Sequence, residues 1–438
     1  MYMYKYVFRE AMGTTTDKLT ENIRNSQYDG AFSILYSDVP RQRERYVRLA
    51  EDYKKIYSGS AEYLFSSPGR CEIGGNHTDH QNGRAIAATV SRDIIACVGR
   101  STLDTIRVKS EGYSENVIDI TELDVIESEK FTSNALIRGI CAEMKKRGYN
   151  IGGFCAVTVS DVPKGSGLSS SAAFEVLIAT IINKCYNASK IPPIEIAKIC
   201  RAAETGFFGK PCGLLDMTAI SVGGEVFMDF EDPNEPRAER ANFDFAQTGY
   251  SLYTVHTGAN HAGLSADYAS IPEECLAVCR VLSKEKLREV SREELISNIA
   301  KIRKAAGDRA FLRALHVINE NERVKKQKAA LECGDFETFL KLVSESGTSS
   351  YELLQNAYSI SDPKEQSIPT ALAIAKQILV SGGVCRVHGG GFAGTIQCYV
   401  PKEKESEFIS KMSEVFGKNA VLKTEIRNIG AVCVDDIK

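Results

Sequence analysis

Between residues 42 and 57, apolar side chains fall at Tyr46, Leu49, Tyr53 and Ile56. Spacings of three and four lay them in one stripe along a helix, and residues 16–58 read as helical throughout. β-Branched runs then predict strands at 63–66, 85–100 and 105–109. A helix over 133–147 precedes another strand at 156–159. A turn rich in glycine and serine leads from it into an apolar helix ending near Ile182. Residues 193–205 and 214–221 read as helices, and 225–229 as a strand. Two prolines in Asp232-Pro-Asn-Glu-Pro236 mark a turn and the candidate domain boundary. Beyond it the pattern predicts a strand at 250–255 and mostly helix over 272–357. The last hundred residues give helix, strand (384–388), glycine turn, strand (395–400), helix and strand. Such an order predicts an α+β fold of two domains, 1–233 and 234–438. The first 40 residues match no interpretable pattern, and a surface helix is the default for them.

At 438 residues the chain exceeds one typical core, which agrees with two domains. A net charge of −3 removes the electrostatic case for a nucleic-acid or anionic-membrane partner. No apolar run is long enough to span a bilayer, and residues 1–9 lack the apolar region of a signal peptide. Thirteen cysteines, an odd number without metal-type spacing, read as thiols in a reducing compartment, so the cytoplasm is expected.

Chemistry concentrates in four places. In Asp161-Val-Pro-Lys-Gly-Ser-Gly-Leu-Ser-Ser-Ser-Ala172, Gly165 and Gly167 permit positive φ and close approach of a ligand. Ser169, Ser170 and Ser171 open a helix whose free N–H groups suit an anion. By itself the stretch also reads as an ordinary capped helix. Ser67-Pro-Gly-Arg-Cys-Glu-Ile-Gly-Gly-Asn-His-Thr-Asp-His80 packs a fixed cation and a hydrogen-bonding cluster suited to sugar hydroxyls, or else is a polar surface turn. Asp216 sits among Leu214, Leu215, Ala219 and Ile220, where a carboxylate costs free energy unless it is paired or employed. Gly389-Gly-Gly-Phe-Ala-Gly394 satisfies the dinucleotide pattern G-x-G-x-x-G, but a strand follows where that motif needs a helix. No P-loop motif occurs.

Together these segments resemble the galactokinase branch of the GHMP small-molecule kinases. Residues 69–80 resemble its sugar signature Gly-Arg-Val-Asn-Leu-Ile-Gly-Glu-His-Thr-Asp-Tyr, and 163–172 its ATP loop. Residues 211–217 resemble Pro-Cys-Gly-Ile-Met-Asp-Gln, and 389–394 its late glycine motif. The resemblance implies a two-domain GHMP kinase fold, with a ribosomal-protein-like N-terminal domain and a ferredoxin-like C-terminal sandwich. It further implies a monomeric ATP-dependent sugar 1-kinase. The loop Gly165, Ser166, Gly167, Leu168, Ser169, Ser170 and Ser171 would cradle the ATP phosphates, with Gly390 and Gly391 closing over the nucleotide. Ser170 or Ser171 and Glu204 would hold Mg²⁺, Asp216 would act as base, and Arg70 would stabilise charge beside it. Asn76, His77, Asp79, Gly213 and Tyr268 would meet the sugar.

This chain departs from the family at Glu72, Asn76, His80 and Met217, where galactokinases carry Asn, Glu, Tyr and Gln. The family Glu contacts the sugar 6-hydroxyl, whereas an amide could donate to a C6 carboxylate. Galactose and galacturonate therefore stand as alternative substrates. Some relatives are non-catalytic sugar sensors, but they lose part of the serine loop, which is intact here. The family's Trp-containing adenine segment is altered and the chain has no Trp, so adenine contacts are not assigned.

Overall fold

A computed structural model describes residues 16–57, 60–163, 165–210, 212–241, 243, 245–258, 264–380, 382–392 and 394–437. Residues 1–9 of the targeting argument lie outside the described residues, as do Lys164, Pro211 and Ala393 of the motifs. Helices α1 (Thr16–Arg24), α2 (Asp29–Leu35) and α3 (Val39–Tyr57) come first. Strands β1 (Tyr63–Gly74), β2 (Arg84–Arg100), β3 (Thr105–Ser110) and β4 (Asn116–Asp119) lead to α4 (Ser133–Lys146) and β5 (Phe154–Ser160). Then come α5 (Ser170–Asn187), α6 (Pro193–Ala203), α7 (Leu215–Val222), β6 (Glu225–Asp229) and β7 (Arg237–Arg240). The remainder holds β8 (Tyr250–His256), α8 (Ser265–Leu282), α9 (Arg292–Ser297), α10 (Ile299–Ala306), α11 (Asp308–Glu332) and α12 (Phe336–Ser349). It closes with α13 (Ser367–Ile378), β9 (Val384–His388), β10 (Thr395–Pro401), α14 (Glu405–Phe416), β11 (Val421–Thr424) and β12 (Val432–Cys433).

The first sheet runs β12-β1-β2-β5-β3-β4, with β6 and β7 attached through β2. Strand β2 is apolar on both faces because both are covered. Ile94, Ala96 and Val98 pack with α4 to α7, while the alternate Ile95 and Cys97 face α1 to α3. The N-terminal helices are thus a cover of the sheet rather than a surface appendage, with Leu19, Ile23, Phe32 and Leu35 buried under it. Asp93, fully buried, locks this cover by accepting from Arg45 at 2.6 Å and from the Tyr36 hydroxyl.

The second sheet, β11-β8-β10-β9, is antiparallel and packs on α13 and α14 through Val255, Ile368, Leu372, Ile396, Phe408 and Met412. The expected boundary at residue 233 is crossed twice. Strand β7 stays with the first sheet, and β12 returns from the far end of the chain to pair Phe65 with Cys433.

Strand β1 also runs further than the sequence predicts, to Gly74 rather than Ser66. Pro68 and the glycines are absorbed by two register shifts against β2, at Pro68/Arg70 and Glu72/Gly74. The polar motif therefore lies on a strand, where its side chains are aimed by the sheet.

Candidate active site

Strand β1 presses directly on the glycine–serine loop. A Cβ on Gly69 would sit 2.7 Å from the Leu168 carbonyl, and the Arg70 N–H donates to that carbonyl at 3.0 Å. Gly165 (φ 70°) and Gly167 (φ 74°) take the left-handed conformation their lack of a side chain permits. Ser169 follows at φ 61°, and α5 begins at Ser170. From the other domain, Thr395 donates to the Gly165 carbonyl at 3.3 Å, and His388 lies against Gly167.

Arg70 and Asp216 meet here. Arg70 Nε donates to Asp216 Oδ1 at 2.6 Å, and Nη1 donates to the Gly167 carbonyl. Asp216 Oδ2 accepts from the Ser169 hydroxyl. Asp216 stands in the first turn of α7, where the free N–H groups also favour a negative charge.

Two carboxyls of the site are pushed apart. Burial acts to raise Asp216, but the Arg70 guanidinium and the Ser169 hydroxyl outweigh it and hold the group below its ordinary value. Burial, reinforced by the Asp216 charge, pushes Asp79 up. Divergent environments of this kind accompany a division of roles between neighbouring acids.

Both carboxyls border a cavity of about 120 Å³ that is also lined by Ser169, Ser171, Glu204 and Gly213. Ser171 reaches both this cavity and the next one; Ser170 lines only the next. Lys210 pairs with Glu204 at 3.2 Å. Gly213 has a specific steric reason: a Cβ there would lie 1.6 Å from Asp79 Oδ2. Gly213→Ala is expected to displace Asp79 and raise the KM for sugar about tenfold or more while leaving the KM for ATP near wild type. Steady-state kinetics varying each substrate in turn check this.

The neighbouring cavity, about 440 Å³, has apolar walls from Ile94, Leu136, Val162 and Phe174 with Asn116 and Ser133 among its polar groups. Its largely apolar lining suits a planar base next to the phosphate loop. Sequence reasoning missed these residues because they come from β2, β4, α4, the turn after β5 and α5, with no shared spacing. A larger cavity, about 680 Å³, lies away from this chemistry and is lined by Arg84, Arg288 and Arg323, each already ion-paired.

The remaining expected residues divide. His77 Nε2 donates to the Gly390 carbonyl at 3.1 Å, and burial pushes its imidazole down to about 4. The Tyr268 hydroxyl donates to the Gly391 carbonyl at 2.8 Å, and its ring meets Phe392 edge-on. Gly390 and Gly391 therefore touch the residues expected at the sugar. His388 and Thr395, which flank the glycine run, are the ones that meet the phosphate loop.

Asn76 differs from expectation. It is 1% exposed, and its amide donates to Glu72 Oε1 (3.0 Å) and the Gly389 carbonyl (2.8 Å). Its carbonyl accepts from Asn356 (3.1 Å) and Ser350 (3.3 Å). Both polar atoms of its side chain are engaged inside the protein. Behind it Glu72 pairs with Arg386 at 2.6 Å, which explains how a carboxylate is tolerated at position 72.

Residues 135–224 match the GHMP kinases N terminal domain, and residues 51–100 match the galactokinase galactose-binding signature. A galactokinase of Thermotoga petrophila is 34% identical over 331 residues, covering 75% of this chain and 87% of the relative. A galactokinase of Clostridium tetani is 29% identical over 84% of this chain and 92% of its own length. In fold, the chain resembles Lactococcus lactis galactokinase complexed with galactose, at a TM-score of 0.76 and 22% identity, over 89% of this chain and 99% of that one. It also resembles a Methanococcus jannaschii mevalonate kinase, at 0.57 and 16% identity, over 83% of this chain and 98% of that one. On its motifs, its fold and this sequence identity, the chain belongs to the galactokinase family of GHMP kinases.

Proposed function

We propose that this enzyme transfers the γ-phosphoryl group of ATP to the anomeric hydroxyl of D-galactose. The observation that carries the reading is the Arg70–Asp216–Ser169 constellation on the wall of the small cavity, with Asp79 and Gly213 facing it. Phosphoryl transfer needs positioned reactants, neutralised charge and an oriented hydroxyl. Asp216, held ionised by Arg70, accepts the hydroxyl proton as the bond to phosphorus forms. A base so depressed takes the proton late, when the attacking oxygen has become acidic. Arg70, fixed by Asp216 and the Gly167 carbonyl, keeps its cation beside the loop where phosphate charge builds. The loop N–H groups and the start of α5 hold the phosphates, and the 440 Å³ cavity takes the base.

Ser171 and Glu204 offer the hard oxygen donors that Mg²⁺ prefers, and the cavity they share borders Asp216. An orphaned carboxylate oxygen on Glu175, bonded through its other oxygen to Ser171, fits a nearby cation as well. Bound there, Mg²⁺ would neutralise phosphate charge; Ser171 and Glu204 would hold it. All thirteen cysteines are free thiols, in keeping with a reducing cytoplasm.

Burial of Asn76 favours galactose over galacturonate, since the amide that would greet a C6 carboxylate is already spent on Glu72 and Gly389. Coupled ADP release on the two sugars at equal concentration tests this, with Asp216→Ala as the blank. Galactose is expected to turn over at least about tenfold faster in kcat/KM. Dominant turnover of galacturonate would reverse the assignment, and ATP binding without turnover on any hexose would make the protein a sensor.

A further inference from the structure

Beyond its orphaned oxygen, Glu175 has no part in the chemistry above; it is a carboxylate with no exposed surface that sits one helical turn below the phosphate loop. Its Oε1 accepts the Ser171 hydroxyl proton at 2.9 Å, and its Oε2 has no hydrogen-bond partner. Leaving a carboxylate half-satisfied in a core is destabilising unless something nearby makes use of it. The helix itself gives no reason for it: besides Ser171, the residues three and four positions from Glu175 on α5 are Ala172, Ile178 and Ala179, all buried.

Ser171 supplies the reason. Its side chain lines the small cavity together with Glu204. A serine binds a cation through an oxygen lone pair, so its proton must point away from the cation. Here the Ser171 hydroxyl donates to Glu175, a bond that does not use its lone pairs and leaves them available to a cation in the cavity.

We propose that Glu175 is a positioning residue for a divalent-cation site made by Ser171 and Glu204, fixing the Ser171 hydroxyl with its oxygen towards the cation. The inference rests on the phosphotransferase reading of the site. The buried charge of Glu175 also lies near Glu204, and burial together with that neighbouring carboxylate pushes Glu175 well above its ordinary value. The positioning role requires an acceptor at this position and does not require the charge. That distinction gives the test its edge.

Mn²⁺ binding in the presence of ADP, followed by loss of the free-ion EPR signal, measures the site without turnover. Outer-shell partners of metal ligands change affinity by about 10- to 100-fold when removed. Glu175→Ala is expected to weaken Mn²⁺ about tenfold or more, as does Ser171→Ala, and the double variant should lose no more than either alone. Glu175→Gln keeps an acceptor for the Ser171 proton and should stay within about threefold of wild type. ADP affinity without metal should be unchanged in Glu175→Ala and Glu175→Gln, and far-UV circular dichroism reports that all the variants fold. Wild-type Mn²⁺ affinity in Glu175→Ala, or additive losses in the double variant, would overturn the proposal. So would a loss in Glu175→Gln as large as in Ser171→Ala, a result that stands even if the alanine variant does not fold. Unchanged affinity in both Ser171→Ala and Glu204→Gln would instead remove the metal site itself, and with it the basis in Proposed function.

Discussion

Asp216→Asn should lower kcat about a thousandfold while the KM values for sugar and ATP move only a few-fold. The amide is isosteric, so the small cavity keeps its shape. What disappears is the acceptor for the sugar proton and the partner of Arg70, which is 8% exposed and has its Nε committed to Asp216. The loss should therefore fall on the transition state and not on binding. A second readout separates base from scaffold: Arg70 and Ser169 hold wild-type Asp216 below its ordinary value, so the carboxylate limb of kcat/KM should lie below that of an ordinary aspartate. Arg70→Met frees Asp216 from that cation and should move the limb upward as well as slow the reaction. A variant Asp216→Asn that kept a tenth or more of wild-type kcat would exclude Asp216 as the proton acceptor.

The second large effect is on stability in mild acid. Burial pushes His77 down to about 4 and His80 to about 3, and it also lowers His316 and His388. Each is fixed in a neutral form. The His316 Nε2–H donates to the Asn76 carbonyl, with Glu320 as the charge that opposes its shift, and His388 Nε2 accepts the Glu72 N–H beside Arg70 and Arg386.

Unfolded histidines take up a proton near pH 6.5, and these folded ones do not. The stability they give is fully present above pH 6.5 and is lost as pH falls towards their folded values. One such histidine contributes a slope of about 1.4 kcal/mol per pH unit. Glu72, Asp79 and Glu175, which burial pushes up, act in the opposite sense and reduce the sum. A net fall in Tm of about 5 °C or more between pH 6.5 and 5 is expected, and His80→Gln should flatten it. A Tm constant from pH 7 to 5 would show that these imidazoles titrate normally.

The phosphate loop was legible in the sequence because its cause is local: two glycines at positive φ, then serines opening a helix. Arg70 and Asp216 were each visible in a motif, but their ion pair was not, since 146 positions separate them. The engagement of Asn76 was hidden for the same reason. Its own neighbourhood is polar and turn-like, and what buries it are Ser350, Asn356 and His316, more than two hundred positions away. The reach of β1 through Pro68 was hidden because a proline normally ends a strand, and only the pairing with β2 shows the register shift that accommodates it. The N-terminal helices gave no sign of their partner because the face they cover, Ile95 and Cys97, alternates with an equally apolar face.

The return of β12 to β1 bears on how the protein is made. Until residues 432–433 leave the ribosome, the outer edge of β1 has no strand beside Phe65 and Ser66. An open edge next to apolar residues invites pairing with another chain. Synthesis of almost the whole described sequence thus precedes closure of its first sheet. That interval is when a nascent chain would most need a chaperone, and slow translation late in the message would lengthen it.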